Sequence, residues 1–355
     1  MKNKMNLKKI QEAEVNDKKV ILRVGFDVLV EGGHIQEEFK ITTVKKTLDY
    51  LIGEGAKVAL MTWLGRPGGK KDPKFSLDRI RDDVERILGY SIKFIPDCVG
   101  EEVIATMNNL KDKEVALLEN VRFYKEEGDE AGEGYDDDFA KKLTEGFDVF
   151  VNDAFSQAHR NQASVAGIPK FIPSFAGFLM QREVEILEKI KSSPEHPAVA
   201  VIGGAKIETK LPIIRNFEKV YDYILVGGKI ANEAVEQNLE FSDRVVLPVD
   251  FAGEKLDIGP ETAKKFAEIL ASAKTIVWNG PMGKFEEEPY DQGTQKILDA
   301  IIASGAYVVA GGGETIQVLE EKNLLNKISF VSTGGGAMLE YLGGKTLPGL
   351  KALET

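Results

Sequence analysis

At 355 residues the chain is too long for one ordinary hydrophobic core and fits two domains of similar size, for which 43% hydrophobic residues are ample. A formal net charge of -11 leaves no broad basic surface for nucleic acid or an anionic membrane, so an anionic ligand has to meet a local basic cluster. The lone Cys98 rules out an internal disulfide and a thiolate metal cluster. Neither MKNKMNLKKIQEAEV nor any later run approaches the roughly 20 apolar residues of a membrane span, so a soluble cytoplasmic protein is expected.

Short strand-like runs alternate with helical patterns, which predicts parallel sheets covered by helices. In the first half the runs are VILRV, KVALMT, VALLEN and DVFVND. Between the first two, Ile41, Val44, Leu48 and Leu51 recur at helical spacing, and Gly53 and Gly55 stop the helix, giving a βαβ unit. The acidic, glycine-spaced stretch 124–139 reads as a solvated loop. Met180, Val184 and Leu187 then mark one face of a helix that Pro194 and Pro197 close off, read as the interdomain helix.

The second half places a glycine-rich loop after almost every apolar, β-branched run: AVAVIGGAK, YILVGGK, TIVWNGPMG, YVVAGGGET and ISFVSTGGGAML. Bare glycines at a helix start leave backbone N–H groups open to an anion, and the carboxyl ends of parallel strands share one edge. A phosphate site is the reading that covers all of them. In GGAKIETKLPIIRNF, Pro212 fits the first helical turn, so the helix is expected to begin near Thr209, with Lys206 in the glycine turn and Lys210 in the first turn. There is no GxxxxGK[ST] and no GxGxxG opening a first βα unit. Glu314 follows three glycines, where a carboxylate either holds magnesium against phosphates or simply suits a helix N-terminus. His34, His159 and His196 are scattered and share no metal-ligand spacing.

Arg66, Arg122 and Arg160 each follow a strand-like run of the first half. On neighbouring parallel strands they gather on one edge as an anion site; independent surface salt bridges are the alternative.

The strings TWLGRP, LENVRF, VNDAFSQAHRNQAS, AGFLM, GGAKIETK, VLPVDF, DIGPET, VWNGPMGKFE, GGGET and VSTGGGAMLE follow one another in the order of the phosphoglycerate kinase family, which the chain resembles over essentially its whole length. The resemblance implies an α/β fold of two Rossmann-like, doubly wound parallel-sheet domains across a hinged cleft. An acceptor domain would span 1–175, the interdomain helix and nucleotide domain 176–340, and a returning segment 341–355. It implies an ATP-dependent phosphotransferase of glycolysis with a carboxyl acceptor, moving a phosphoryl group between 1,3-bisphosphoglycerate with ADP and 3-phosphoglycerate with ATP. Magnesium would be the cofactor and the chain a monomer.

Carried over by position, Gly204, Gly227 and Gly228 would flank the adenine, Glu286 the ribose hydroxyls, and Lys210 the α-phosphate. Lys206 and the backbone of Gly334 and Gly335 would face the transferring phosphoryl. Asn279, Gly280, Pro281, Gly312, Gly313 and Thr315 complete the nucleotide site, and Glu314 stands where the family has a magnesium-binding aspartate. The acceptor set would be Leu64, Gly65, Arg66, Arg122 and Arg160 with four departures. The family's Arg-x-Asp-x-Asn-x-Pro is Arg23, Gly25, Asp27 and Leu29 here; its essential arginine, a catalytic residue, is Lys40; and its histidine before LeuGlyArgPro is Trp63. A segment between VLPVDF and DIGPET is also missing. Besides the kinase, these departures allow a nucleotide-binding relative with little kinase activity, or one with a different small anionic acceptor.

Overall fold

The structure, a computed structural model, describes residues 5–111, 113–128 and 134–355, so the middle of the acidic stretch lies outside the described residues. The chain divides into two compact units, one running to Val184 and joined by Thr346–Thr355, the other Glu185–Lys345. Among the described residues no helix is long and apolar enough to cross a membrane.

The first unit is built on β1 (Lys19–Arg23), β2 (Lys57–Met61), β3 (Ser91–Ile95), β4 (Glu114–Leu118), β5 (Val149–Asn152) and β6 (Ser174–Ala176), in the order β3-β4-β2-β1-β5-β6 and all parallel. Both faces of the sheet are covered, so the central strands are apolar on both sides. Val20 and Leu22 of β1 join one core with Leu48 and Leu51, while Ile21 joins the other with Trp63 and Phe150. The βαβ helix is in two pieces, Glu38–Thr42 and Lys45–Gly53, with Val44 buried between them. Residues 346–355 return to this unit: Gly349 N–H donates to the Ala158 carbonyl (2.9 Å) and Lys8 N–H to the Leu353 carbonyl (3.0 Å).

The acidic stretch is not a plain solvated loop where it is described. Glu127 is fully buried, and Asp136 caps the Asp137–Lys142 helix by accepting from Phe139 N–H (2.8 Å). The helix read between the halves is Phe178–Ser192, with Met180, Val184 and Leu187 buried, and the division between units falls inside it. Buried Asp153 accepts from Met180 N–H (3.0 Å) at its start, and burial pushes that carboxyl up to about 6.

The second unit holds β7 (Ala198–Ile202), β8 (Tyr223–Val226), β9 (Val245–Val246), β10 (Thr275–Asn279), β11 (Tyr307–Gly311) and β12 (Phe330–Ser332), ordered β9-β8-β7-β10-β11-β12 and parallel throughout. Counted within the unit this is 3-2-1-4-5-6, the doubly wound order whose ligand crevice opens where the winding reverses, between β7 and β10. A short antiparallel pair, Phe251–Ala252 with Asp257–Ile258, joins the ends of the VLPVDF and DIGPET strings.

Candidate active site

The strand ends at this reversal are tied by their glycine loops. Gly203 N–H donates to the Asn279 carbonyl (2.9 Å), Gly204 N–H to Pro281 (3.1 Å) and Gly228 N–H to Met282 (2.7 Å). Gly228 has a φ of +64°, and a Cβ there would lie 2.8 Å from Gly204 N, so glycine is required on both counts. Gly227 packs on the Met282 sulfur, and Gly335 on the Gly312 backbone, where a Cβ would come within 2.7 Å of Gly312 Cα.

Four side chains converge on this backbone frame. Lys210, only 8% exposed, donates from Nζ to Asn279 Oδ1. Asn279 Nδ2 in turn donates to the Gly311 carbonyl (2.6 Å), and Gly280 N–H donates to Thr315 Oγ1 (2.8 Å). A Cβ on Gly204 would be 3.8 Å from both Lys210 Cε and Glu314 Oε2, so the ammonium and the carboxylate flank the same glycine. Burial pulls the Lys210 ammonium down to about 8, against the opposing pull of Glu314. Glu314 lies in the first turn of the Gly313–Glu321 helix. Gly334 opens the Gly335–Leu342 helix, Lys206 is exposed, and Glu286 is exposed beyond the Pro281 loop.

The helix after Lys206 begins at Ile207 rather than near Thr209, and Pro212 lies inside it. Pro212 forfeits one bond, to the carbonyl four residues back, so the first turn is held by other means. Ile207 N–H donates to Glu233 Oε2 (2.9 Å), and Thr209 Oγ1 donates to the Lys206 carbonyl (2.9 Å). The sequence carries no local signal for Glu233, which sits on the Gly228–Glu236 helix.

In the first unit, the loops after β1, β2, β4 and β5 leave the same edge because the strands are parallel. Trp63 is 2% exposed, with the Arg122 guanidinium 3.9 Å and that of Arg23 4.3 Å from its ring centroid. Arg122 Nη1 donates to the Gly65 carbonyl (2.9 Å), and Gly65 N–H donates to Asp27 Oδ1 (3.0 Å). Buried Leu64 accepts from Asn120 Nδ2 (2.8 Å). Lys40 Nζ bonds the Asp27 carbonyl (3.1 Å) and the Glu37 carboxylate (2.9 Å). Thus Asp27 shapes the Gly65 turn, and the Lys40 charge already has an anionic neighbour. Arg66 is exposed, Arg160 is half-buried, and Gly25 packs against Ser156.

Arg23 is fully buried. Its Nε donates to Ser164 Oγ (3.0 Å), and Ser164 donates to Glu127 Oε1 (2.6 Å). Burial draws the Arg23 guanidinium down to about 9 and pushes the Glu127 carboxyl up, each partly offset by the other's charge. Glu127, Ser164 and Ser156 were not singled out by sequence reasoning, because the pairings that reveal them are tertiary.

A family model described as Phosphoglycerate kinase matches residues 10–241 and 234–345. The phosphoglycerate kinase of Borrelia hermsii (strain HS1 / DAH) is 36% identical over 396 residues, spanning 99% of this chain and 100% of that protein. That of Moorella thermoacetica (strain ATCC 39073 / JCM 9320) is 39% identical over 390 residues, spanning 97% of this chain and 98% of that protein. The crystal structure of phosphoglycerate kinase from Pyrococcus horikoshii OT3 is similar with a TM-score of 0.85 and 31% identity, covering 98% of each chain. Matched in sequence and in fold over nearly its whole length, the chain belongs to the phosphoglycerate kinase family.

Proposed function

We propose that the chain transfers the γ-phosphoryl group of ATP to a carboxylate oxygen of 3-phosphoglycerate, and runs the reverse reaction from 1,3-bisphosphoglycerate and ADP. The observation that carries this reading is the gathering of Lys210, Asn279, Glu314 and the glycine loops at the reversal between β7 and β10 in a full-length member of this family. There the nucleotide phosphates meet backbone N–H donors and a buried ammonium, with Gly204, Gly227 and Gly228 beside the adenine and Glu286 at the ribose. Lys206 and the Gly334 and Gly335 backbone stabilise the charge on the moving phosphoryl. Arg66, Arg122 and Arg160 hold the acceptor's anionic ends, with Gly25, Asp27, Trp63, Leu64 and Gly65 shaping their surroundings. Lys40, which pairs with Glu37 in the ligand-free fold, supplies a cation to the transfer once released from that carboxylate.

Magnesium fits the residues present. Among the described residues no group of three or more His, Cys, Asp or Glu side chains could hold a metal, so Glu314 would act with the substrate's own phosphates, the usual arrangement for this ion. Bound there, magnesium would neutralise phosphate charge. The working form in this reading is a cytoplasmic monomer, its single Cys98 buried.

A coupled assay with ATP, magnesium and 3-phosphoglycerate tests the proposal: turnover should be present and should fall at least tenfold in Arg160→Ala, since a charge-assisted contact is worth about 1.5 to 3 kcal/mol. The pairing of Lys40 with Glu37 and the stacking of Arg122 on Trp63 favour a second reading, a nucleotide binder with little kinase activity. Nucleotide binding without any turnover would establish it.

A further inference from the structure

The segment that leads from β7 into the Ile207–Phe217 helix carries Lys206. Its start is held by main chain: Gly203 N–H donates to the Asn279 carbonyl, Gly204 N–H to that of Pro281, and the Gly204 carbonyl accepts from Ile230 N–H (3.2 Å). Its end is held by a side chain. Lys206, extended at φ -133° and ψ 110°, stands at the N-cap of the helix, and a lysine side chain has no acceptor with which to satisfy the first helical N–H groups. Glu233 supplies one from the Gly228–Glu236 helix, its Oε2 lying 2.9 Å from Ile207 N. Ala205 and Lys206 are exposed between these two anchors, while Ile207 is buried. The Gly228–Glu236 helix therefore grips the segment twice, at Gly204 through Ile230 and at Ile207 through Glu233.

We propose that Glu233 is a positioning residue that acts through Lys206: its carboxylate fixes the Ile207 amide, and with it the direction in which the Lys206 side chain leaves the turn. This rests on the functional reading above, in which Lys206 meets the moving phosphoryl group. Lys210, about one turn further along, does not share the dependence, because its ammonium is buried and bonded to Asn279 on β10. Loss of the Glu233 anchor should therefore leave nucleotide binding in place and weaken a contact made during transfer, which lowers kcat more than it raises KM. A displacement of about 1 Å at a group that stabilises the transition state is enough for a loss on the order of a hundredfold.

A double-mutant cycle of Glu233→Ala and Lys206→Ala tests this by steady-state kinetics with 3-phosphoglycerate and magnesium ATP, with circular dichroism and magnesium ADP titration to establish that each variant is folded. Glu233→Ala alone should lower kcat at least about tenfold while KM for ATP and the affinity for ADP stay within about threefold, and Glu233→Gln, which keeps an acceptor oxygen, should recover most of that loss. In a Lys206→Ala background, Glu233→Ala should cost less than about threefold more, because the side chain it positions is gone. Glu233→Asp, which keeps the charge but shortens the reach by one methylene, carries the same cycle should Glu233→Ala fail to fold. Additive losses in the cycle, a kcat in Glu233→Ala within about threefold of the unaltered chain, or equal losses in Glu233→Ala and Glu233→Gln overturn the inference alone. If the unaltered chain binds magnesium ADP but turns over no 3-phosphoglycerate, the functional reading fails and this inference falls with it.

Discussion

Replacing Lys210 with methionine keeps the length of the side chain and removes its charge, and the fold and the ligand should respond in opposite directions. Burial lowers the folded-state value from 10.5 to about 8, a difference that makes carrying the ammonium cost the ligand-free fold about 3 kcal/mol. The sign follows from proton counting. Between those two values the unfolded chain binds more protons than the folded one, so the cost is full below pH 8 and disappears as pH rises toward 10.5. Asn279 Oδ1 loses its donor in the variant, but Asn279 does not titrate, so the pH slope isolates the charge. From pH 7.5 to 9.5 the unaltered chain should gain about 2 kcal/mol relative to Lys210→Met. Urea unfolding followed by Trp278 fluorescence in a Trp63→Phe background measures this in the second unit. Magnesium ADP should bind Lys210→Met about tenfold to a hundredfold more weakly at pH 7, and the gap should narrow above pH 8 as the lysine loses its proton. A stability difference that does not change with pH, or equal nucleotide affinities at pH 7, would refute the assignment of a buried phosphate-binding ammonium.

Trp63→Ala removes a buried ring and the platform for two guanidiniums, and should cost the first unit about 3 to 5 kcal/mol by chemical denaturation; a loss under about 1 kcal/mol would mean that the stacking holds nothing in place. Glu314→Gln should weaken magnesium ADP while leaving metal-free ADP as tight or tighter, because the carboxylate repels bare phosphates. Equal weakening of both would assign Glu314 to the fold and not to the ion.

The central strands were legible because strands covered on both faces read as unbroken β-branched runs. The two edge strands of the first sheet were not: Ser91–Ile95 is buried only at some positions, and Ser174–Ala176 is three residues long, too short for any period. Pro212 misled the reading of its helix because a proline in the interior is tolerated here at the cost of one bond, while Glu233, from another helix, caps the true start. The burial of Glu127 was invisible for the same kind of reason, since its partners Ser164 and Arg23 are distant in sequence.

The two candidate sites differ in what they are made of, and this decides how far each can be read. The nucleotide frame is largely main chain: its loops pair N–H to carbonyl, and Gly203, Gly204, Gly228, Gly280, Gly312 and Gly335 are fixed by positive φ or by backbone contacts under 3 Å, as between Gly228 and Gly204. A change of side chain nearby leaves those donors where they are, so the motif and the geometry stay together. The acceptor edge is made of side chains, and each residue at issue there has a partner of its own: Glu37 for Lys40, the Gly65 turn for Asp27, two arginines for Trp63, Ser156 for Gly25. Restoring one family residue alone would leave its present partner unpaired or in the way. The acceptor edge must therefore be altered in pairs to recover the family arrangement, while single substitutions in the nucleotide frame should act independently of one another when they lie apart.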